Sequence, residues 1–226
     1  MRINKLLSNY GICSRKEANR LIEEGRITVN GMIPMKGQWV ETVDNIALDG
    51  ITVEKKPPIY IVFNKPVGIT CTAAEEVKDN IIAYMNYPSY IFPVGRLDKD
   101  SHGLIILTND GEMANRILEA DNLHEKEYIV KVDRDIDMEF TEAMARGVEI
   151  LGVTTRSCTV EKVDSKTFRI ILTQGLNRQI RRMCKALGYN VTDLKRIRMS
   201  SINLGSLEEG KWRYFSEGEL SEIEKL

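Results

Sequence analysis

Apolar residues recur at helical spacing from the start of the chain. Ile3, Leu6, Leu7 and Tyr10 share one face, and Gly11 stands where a helix ends. Ser14-Arg15-Lys16-Glu17 has the form of a capping box, followed by Ala18, Leu21 and Ile22 as the stripe of a second helix that Gly25 closes. The period then shortens. Ile27-Thr28-Val29 leads into Asn30-Gly31, a tight-turn dipeptide, and further short strands are expected within residues 43–53. Two helices and a turn-rich sheet edge predict a compact binding module over residues 1–54.

Glu54-Lys55-Lys56-Pro57-Pro58 is charged and then stiffened by two prolines, so residues 55–58 read as a linker. Residues 59–63 form an apolar run suited to a buried strand, and Asn64-Lys65-Pro66-Val67-Gly68 reads as a turn. Another strand is expected over 103–107, then Asn109-Asp110-Gly111 and a helix over 112–119. Residues 126–132, 156–163 and 167–172 alternate or run apolar like strands. Residues 177–187 place Ile180, Met183, Cys184 and Leu187 on one helical side. The mixed order predicts an α+β domain over residues 59–226 around a largely antiparallel sheet.

Composition narrows the class. The chain has 226 residues, 42% hydrophobic and 29% charged, enough for one large or two unequal domains. Its apolar runs are far below the ~20 residues of a membrane helix, and Met1-Arg2-Ile3-Asn4-Lys5 does not resemble a secretory leader. A cytoplasmic protein with no membrane contact is expected. Cys13, Cys71, Cys158 and Cys184 form no close pair, and neither His102 nor His124 stands near a cysteine, so no disulfide framework and no metal are expected. The net charge of −1 hides a strong asymmetry: residues 1–36 carry seven Lys and Arg against three Glu, and residues 165–200 carry nine against one Asp. Clustered base, rather than net charge, attracts phosphates.

Three polar segments remain: Gly95-Arg96-Leu97-Asp98-Lys99-Asp100-Ser101-His102-Gly103-Leu104, Lys126-Glu127-Tyr128, and Gly175-Leu176-Asn177-Arg178-Gln179-Ile180-Arg181-Arg182-Met183. Taken singly, each has a structural explanation: a polar loop, a packed strand tyrosine, a solvated basic helix. Together they resemble the catalytic segments of the RsuA-type (RsuA/RluB/RluE/RluF) pseudouridine synthases. The first is similar to that family's G-R-L-D-x-x-[ST]-x-G-L signature at Gly95, Arg96, Leu97, Asp98, Ser101, Gly103 and Leu104. The second is similar to its K-x-Y segment and the third to its [RN]-x-Q-[IV]-[RK]-R-M segment. The first fifty residues resemble the S4 RNA-binding module, notably at Ser14-Arg15-Lys16-Glu17-Ala18 and Val29-Asn30-Gly31. Residues 95–107, Asn109-Asp110-Gly111, 124–128 and 174–184 look closest to the RluF-like large-subunit rRNA enzymes.

The resemblance implies conversion of uridine to pseudouridine. The C1′–N1 bond breaks, the base turns, and C5 joins C1′. No atom is gained and no redox step occurs, so no cofactor is expected. Asp98 is implied as the catalytic carboxylate, either attacking C1′ or acting through a glycal. Arg181 is implied as its paired cation, and Tyr128 as the ring stacking on uracil and assisting removal of the C5 proton. RNA contacts are expected from Arg96, Lys99, Asn177, Arg178, Gln179 and Arg182, and from Arg2, Lys5, Arg15, Lys16 and Arg20 of the N-terminal module. His102 is read as a loop or RNA contact. Asp98 and Asp100 would suggest Mg²⁺ only with a third ligand.

Two other classes are separable. A non-catalytic rRNA assembly factor would bind RNA without needing Asp98, Tyr128 and Arg181 together. A metal-dependent nuclease would shorten the RNA and stop with chelator. The partner expected is ribosomal RNA, most simply 23S, with tRNA open as an additional substrate, and the chain is expected to act as a monomer. The resemblance carries a long basic C-terminal tail in many members, whereas the last residues here are acidic.

Overall fold

The computed structural model describes residues 1–74, 76–118 and 124–225. The N-terminal unit is α1 (Ile3–Asn9), α2 (Arg15–Glu23) and a three-stranded antiparallel sheet of β1 (Ile27–Val29), β2 (Ile46–Leu48) and β3 (Ile51–Thr52). Ile3, Leu6, Leu7, Ala18, Leu21, Ile22 and Ile27 close one apolar core, as the helical spacing predicts. Asn30 and Gly31 both take positive φ, 52° and 81°, and Val29 and Met32 exchange backbone hydrogen bonds across them. The capping box is only half formed. Ser14 Oγ accepts from Glu17 N at 3.0 Å, but the Glu17 carboxylate turns to Arg20, 2.6 Å away. The box with both halves is at Ser216 and Glu219.

Residues 53–59 carry no regular structure, yet they are held in place. Lys56 N donates to Tyr10 O at 2.9 Å, while the Asn109 amide accepts from Ile59 N at 2.8 Å and donates to Pro57 O at 2.9 Å.

The larger unit is organised on a nine-stranded sheet. In chain order its elements are β4 (Tyr60–Lys65), α3 (Ile81–Met85), β5 (Phe92–Val94), β6 (His102–Thr108), α4 (Gly111–Leu118), β7 (Lys126–Val132) and α5 (Met138–Arg146). A small hairpin of β8 (Glu149–Ile150) and β9 (Val153–Thr154) follows, then β10 (Thr159–Lys162), β11 (Thr167–Leu172), α6 (Gln179–Ala186) and β12 (Val191–Met199). The chain ends through β13 (Ile202–Asn203), β14 (Trp212–Tyr214) and α7 (Glu217–Glu224). The main strand order is β10-β11-β7-β12-β6-β4-β14, antiparallel except where β12 runs parallel to β6.

β4 and β6 are buried on both faces, which explains their unbroken apolar runs. Ile61, Phe63, Ile105 and Leu107 join one cluster, and Val62, Leu104 and Ile106 join the other, beneath α4 and α7. β11 alternates instead, with Phe168, Ile170 and Leu172 inward beside Ile180, Met183 and Cys184 of α6.

The structure departs from the expected elements at several points. The turn expected at 64–68 starts later, because β4 continues through Lys65, whose fully buried ammonium donates to Pro66 O and Ile69 O at 2.9 and 2.8 Å. The helix expected over 112–119 begins at Gly111; Glu119 lies outside the described residues. The helix expected from 177 begins at Gln179, because Arg178 takes a left-handed conformation at φ 51°. α3, β5, α5, β8, β9, β12, β13, β14 and α7 were not expected. Among the described residues, no helix is long and apolar enough to cross a membrane.

Candidate active site

The signature segment is the loop from β5 into β6, and its shape is set by short-range bonds. Gly95 turns the chain at φ 74°, the Leu97 side chain is buried, and Leu97 N donates to Cys71 Sγ at 3.4 Å. Ser101 N closes a turn on Asp98 O at 3.1 Å, and Gly68 N holds Lys99 O at 2.8 Å. With both flanks anchored, Asp98 stands at the wall of a cavity of about 490 Å³, a size ordinary for a ligand site. Tyr128 projects into the same cavity from β7, packed between the cluster under α6 and the cluster of β4 and β6. Arg181 reaches it from α6. The three residues singled out for chemistry therefore share one cavity, although they are as many as 83 positions apart in the chain.

The pairing differs from the expected one. Arg181 Nη2 donates to Asp100 O at 2.7 Å and to Ser101 Oγ at 3.1 Å, and its Nε lies 3.4 Å from the Asp100 carboxylate. Among the described residues, the cation within ion-pair distance of Asp98 is Arg178, at 3.6 Å. Arg178 also grips Asp100 through two hydrogen bonds of 2.9 and 2.8 Å. The reason is geometric. The left-handed backbone at Arg178 points its side chain back over the loop, while Arg181, one helical turn on, meets the loop at its far end. Hydrogen bonding from Arg178, with the charges of Arg181 and Arg178, holds the Asp100 carboxyl below the usual carboxylate range.

The other expected contact residues divide. Arg96 is exposed, lines the cavity, and makes no hydrogen bond or ion pair among the described residues. Lys99 is paired with Asp79. Arg182 folds onto Asn177, donating to its carbonyl at 3.0 Å and its amide oxygen at 3.2 Å. Gln179 is buried, accepting from Leu176 N at 3.0 Å and donating to Gln174 at 3.3 Å, so its amide holds the approach to α6 rather than facing solvent. His102 sits between Glu209 and Asp193, at 3.2 and 3.0 Å. On the N-terminal unit, Arg2, Lys5, Arg15 and Lys16 have no ion pair among the described residues, whereas Arg20 is bound to Glu17 and Glu24.

Sequence reasoning passed over Lys126, Arg156 and Arg196, which also line the cavity. Lys126 stands in a quoted segment, so its position two residues from Tyr128 on one strand was a usable signal. Arg196 carried only its place in the basic stretch 165–200, since its strand was not expected. Six Arg and Lys side chains face the cavity against one carboxylate, Asp98, among the described residues. Such a charge balance suits a polyanion whose backbone follows the rim while one base enters.

Comparison with known proteins identifies the family. The RNA pseudouridylate synthase family model matches residues 59–186, and the S4 domain model matches residues 1–33. The chain is 47% identical over 228 residues to the dual-specificity RNA pseudouridine synthase RluF of Salmonella typhi, covering 100% of this chain and 79% of that protein. It is 32% identical over 234 residues to the ribosomal large subunit pseudouridine synthase B of Bacillus subtilis, covering 100% and 96%. A crystal structure of a pseudouridylate synthase, 26% identical, superposes with a TM-score of 0.72 over 99% of both chains.

Proposed function

This chain belongs to the RNA pseudouridylate synthase family, in its RsuA/RluF-type branch, and from that premise we propose that it isomerises a specific uridine of large-subunit ribosomal RNA with Asp98 as the central carboxylate. The observation that carries the reading is the meeting of Asp98, Tyr128 and Arg181 in one cationic cavity. Residues 1–54 are assigned to RNA binding, 55–58 to the linker, and 59–226 to catalysis.

The target uridine leaves its stack and enters the cavity, most cheaply from a loop or bulge. Tyr128 stacks on the uracil. The Arg178 guanidinium stands 3.6 Å from the Asp98 carboxylate. Asp98 acts on the sugar as the C1′–N1 bond breaks, either by bonding to C1′ or by taking the C2′ proton. The base then turns, C5 joins C1′, and the C5 proton leaves with Tyr128 nearby. Arg181 holds the loop through Asp100 O and Ser101 Oγ, and so fixes where the Asp98 carboxylate stands. Arg96 takes phosphate at the rim. The protein acts as a monomer.

Tritium release from [5-³H]uridine-labelled large-subunit rRNA tests this reading. Wild-type protein should release tritium with chelator present, and Asp98→Asn should abolish release while keeping RNA affinity. Retained turnover in Asp98→Asn would remove Asp98 from the mechanism. Mapping pseudouridine across rRNA and tRNA, in cells with and without the protein, identifies the site and any tRNA substrate.

A further inference from the structure

Arg196 lies on β12 directly across from Tyr128 on β7, and it is 2% exposed. Its Nε–H donates to Leu104 O at 2.7 Å, but its Nη2 is buried with no hydrogen-bond partner. No carboxylate lies within ion-pair distance of it among the described residues. A charged side chain stripped of water with a donor left open is a costly arrangement unless something completes it. Lys126 stands two residues before Tyr128 and on the same face of β7, its ammonium 3.4 Å from His124 O. Burial lowers the Lys126 pKa, and the charge on Arg196 lowers it further. Both cations line the cavity that holds Asp98.

On the opposite face of β7, two cations are neutralised. Glu127, between Lys126 and Tyr128 but on the opposite face, takes Arg169 and Arg198 at 2.6 Å each. Arg196 and Lys126, on the cavity face, have no such carboxylate within ion-pair distance among the described residues. An anion must arrive with the substrate. A phosphate stays solvated at the rim, where Arg96 is exposed. What reaches the floor beside Tyr128 is the base.

We propose that Arg196, with Lys126 beside it, receives the uracil anion formed when the glycosidic bond breaks, and is a catalytic residue of the isomerisation. The electron pair of C1′–N1 stays on the base and spreads over N1, O2 and O4. Asp98 answers the electron deficit at C1′ by bonding to it or by taking the C2′ proton. C5 then attacks C1′, displacing Asp98 or regaining the C2′ proton from it, and the C5 hydrogen departs as a proton while N1 gains one. Nothing is oxidised or reduced. Arg196 is a fixed donor for charge that exists only after bond breaking, the condition for raising a rate rather than an affinity.

This proposal rests on the reading given under Proposed function, and its test separates the two. Arg196→Met and Arg196→Lys are compared with wild type in single turnover on large-subunit rRNA carrying either uridine or 5-fluorouridine. Fluorine at C5 withdraws electrons and makes the uracil anion easier to form. Reaction is read as tritium release for uridine and as rearranged nucleoside, by mass spectrometry, for 5-fluorouridine. The expected result is a rate about 100-fold lower on uridine, with RNA Kd and its salt dependence unchanged. The deficit should be about tenfold smaller on 5-fluorouridine. A purely structural role would lower both rates alike. Equal deficits, rates near wild type, or a weakened Kd whose salt slope falls by about one, the mark of a phosphate contact, each overturn the proposal. Should Arg196→Met melt below the assay temperature, Arg196→Lys and Lys126→Met carry the same two readouts. No tritium release by wild type would overturn the substrate reading and this proposal with it; normal release with equal deficits overturns this proposal alone.

Discussion

Gly103 and Arg196 meet backbone to backbone: a Cβ on residue 103 would lie 2.2 Å from Arg196 O and 2.7 Å from Arg196 N. The contact falls at the parallel pairing of β6 with β12, where Gly103 takes φ 101°. It brings the end of the Asp98 loop against the strand paired with Tyr128, so one glycine ties the Asp98 loop to β12 and β7. Gly103→Ala should therefore cost about 3 kcal/mol or more, since both the backbone angle and the contact oppose a side chain. Urea denaturation measures this. A loss under about 1 kcal/mol would mean that β12 can move aside.

The reach of the sequence differs from element to element. The runs that became β4 and β6 were legible because both their faces are buried, and the α1 and α2 stripes because one face is. β12 was not. Asp193, Lys195, Arg196 and Arg198 give it the look of a solvated segment, and only its pairing with β7 and β6, residues distant in the chain, buries it. The site was legible as three segments but not as a set of pairings. Asp98 and Asp100 are two residues apart, and which one receives Arg181 depends on the left-handed turn at Arg178, a conformation that arginine gives no sign of adopting.

Asp100 is the carboxylate that Arg178 and Arg181 share, and it is about half exposed, so the pairs are worth little in stability. Asp100→Asn should lower stability by less than about 1 kcal/mol and leave tritium release in place, because Arg181 keeps its bond to the residue 100 carbonyl. RNA affinity should rise, and its salt slope should steepen by up to about one, as a guanidinium is released to phosphate. Filter binding across salt concentrations checks the slope. A loss of tritium release matching that of Asp98→Asn would move the chemistry to Asp100.

Glu127 is the buried carboxylate of the far face, held by two arginines. Burial would raise its pKa, but the hydrogen bonds and charges of Arg169 and Arg198 outweigh burial and leave it below the usual range. A depressed folded pKa means that the ionised group stabilises the fold above its unfolded pKa, about 4.3, and that this stabilisation fades as pH falls through the folded value. Glu127→Gln should cost about 2–3 kcal/mol at pH 7. The gap between wild type and variant should narrow steadily below pH ~4.3. Thermal melts from pH 7 to pH 3 measure it; a gap independent of pH would mean that packing, not charge, is what the substitution removes.

Arg15 and Lys16 open α2 as exposed side chains without ion pairs among the described residues, next to Arg20, which Glu17 already occupies. Cations in the first turn oppose the helix dipole, so Arg15 and Lys16 do not serve helix stability and are free to meet an external anion. Each phosphate contact to single-stranded RNA contributes about 0.7 to the slope of log K against log salt. The double variant Arg15→Ser, Lys16→Ser should therefore bind rRNA more weakly, with a slope shallower by about 1.4, while melting no lower than wild type. Its tritium release at saturating RNA should be unchanged, because neither residue reaches the Asp98 cavity. Arg20→Ser should move the slope less than either single change. Unchanged affinity and slope in the double variant would place the RNA on another face of the N-terminal module.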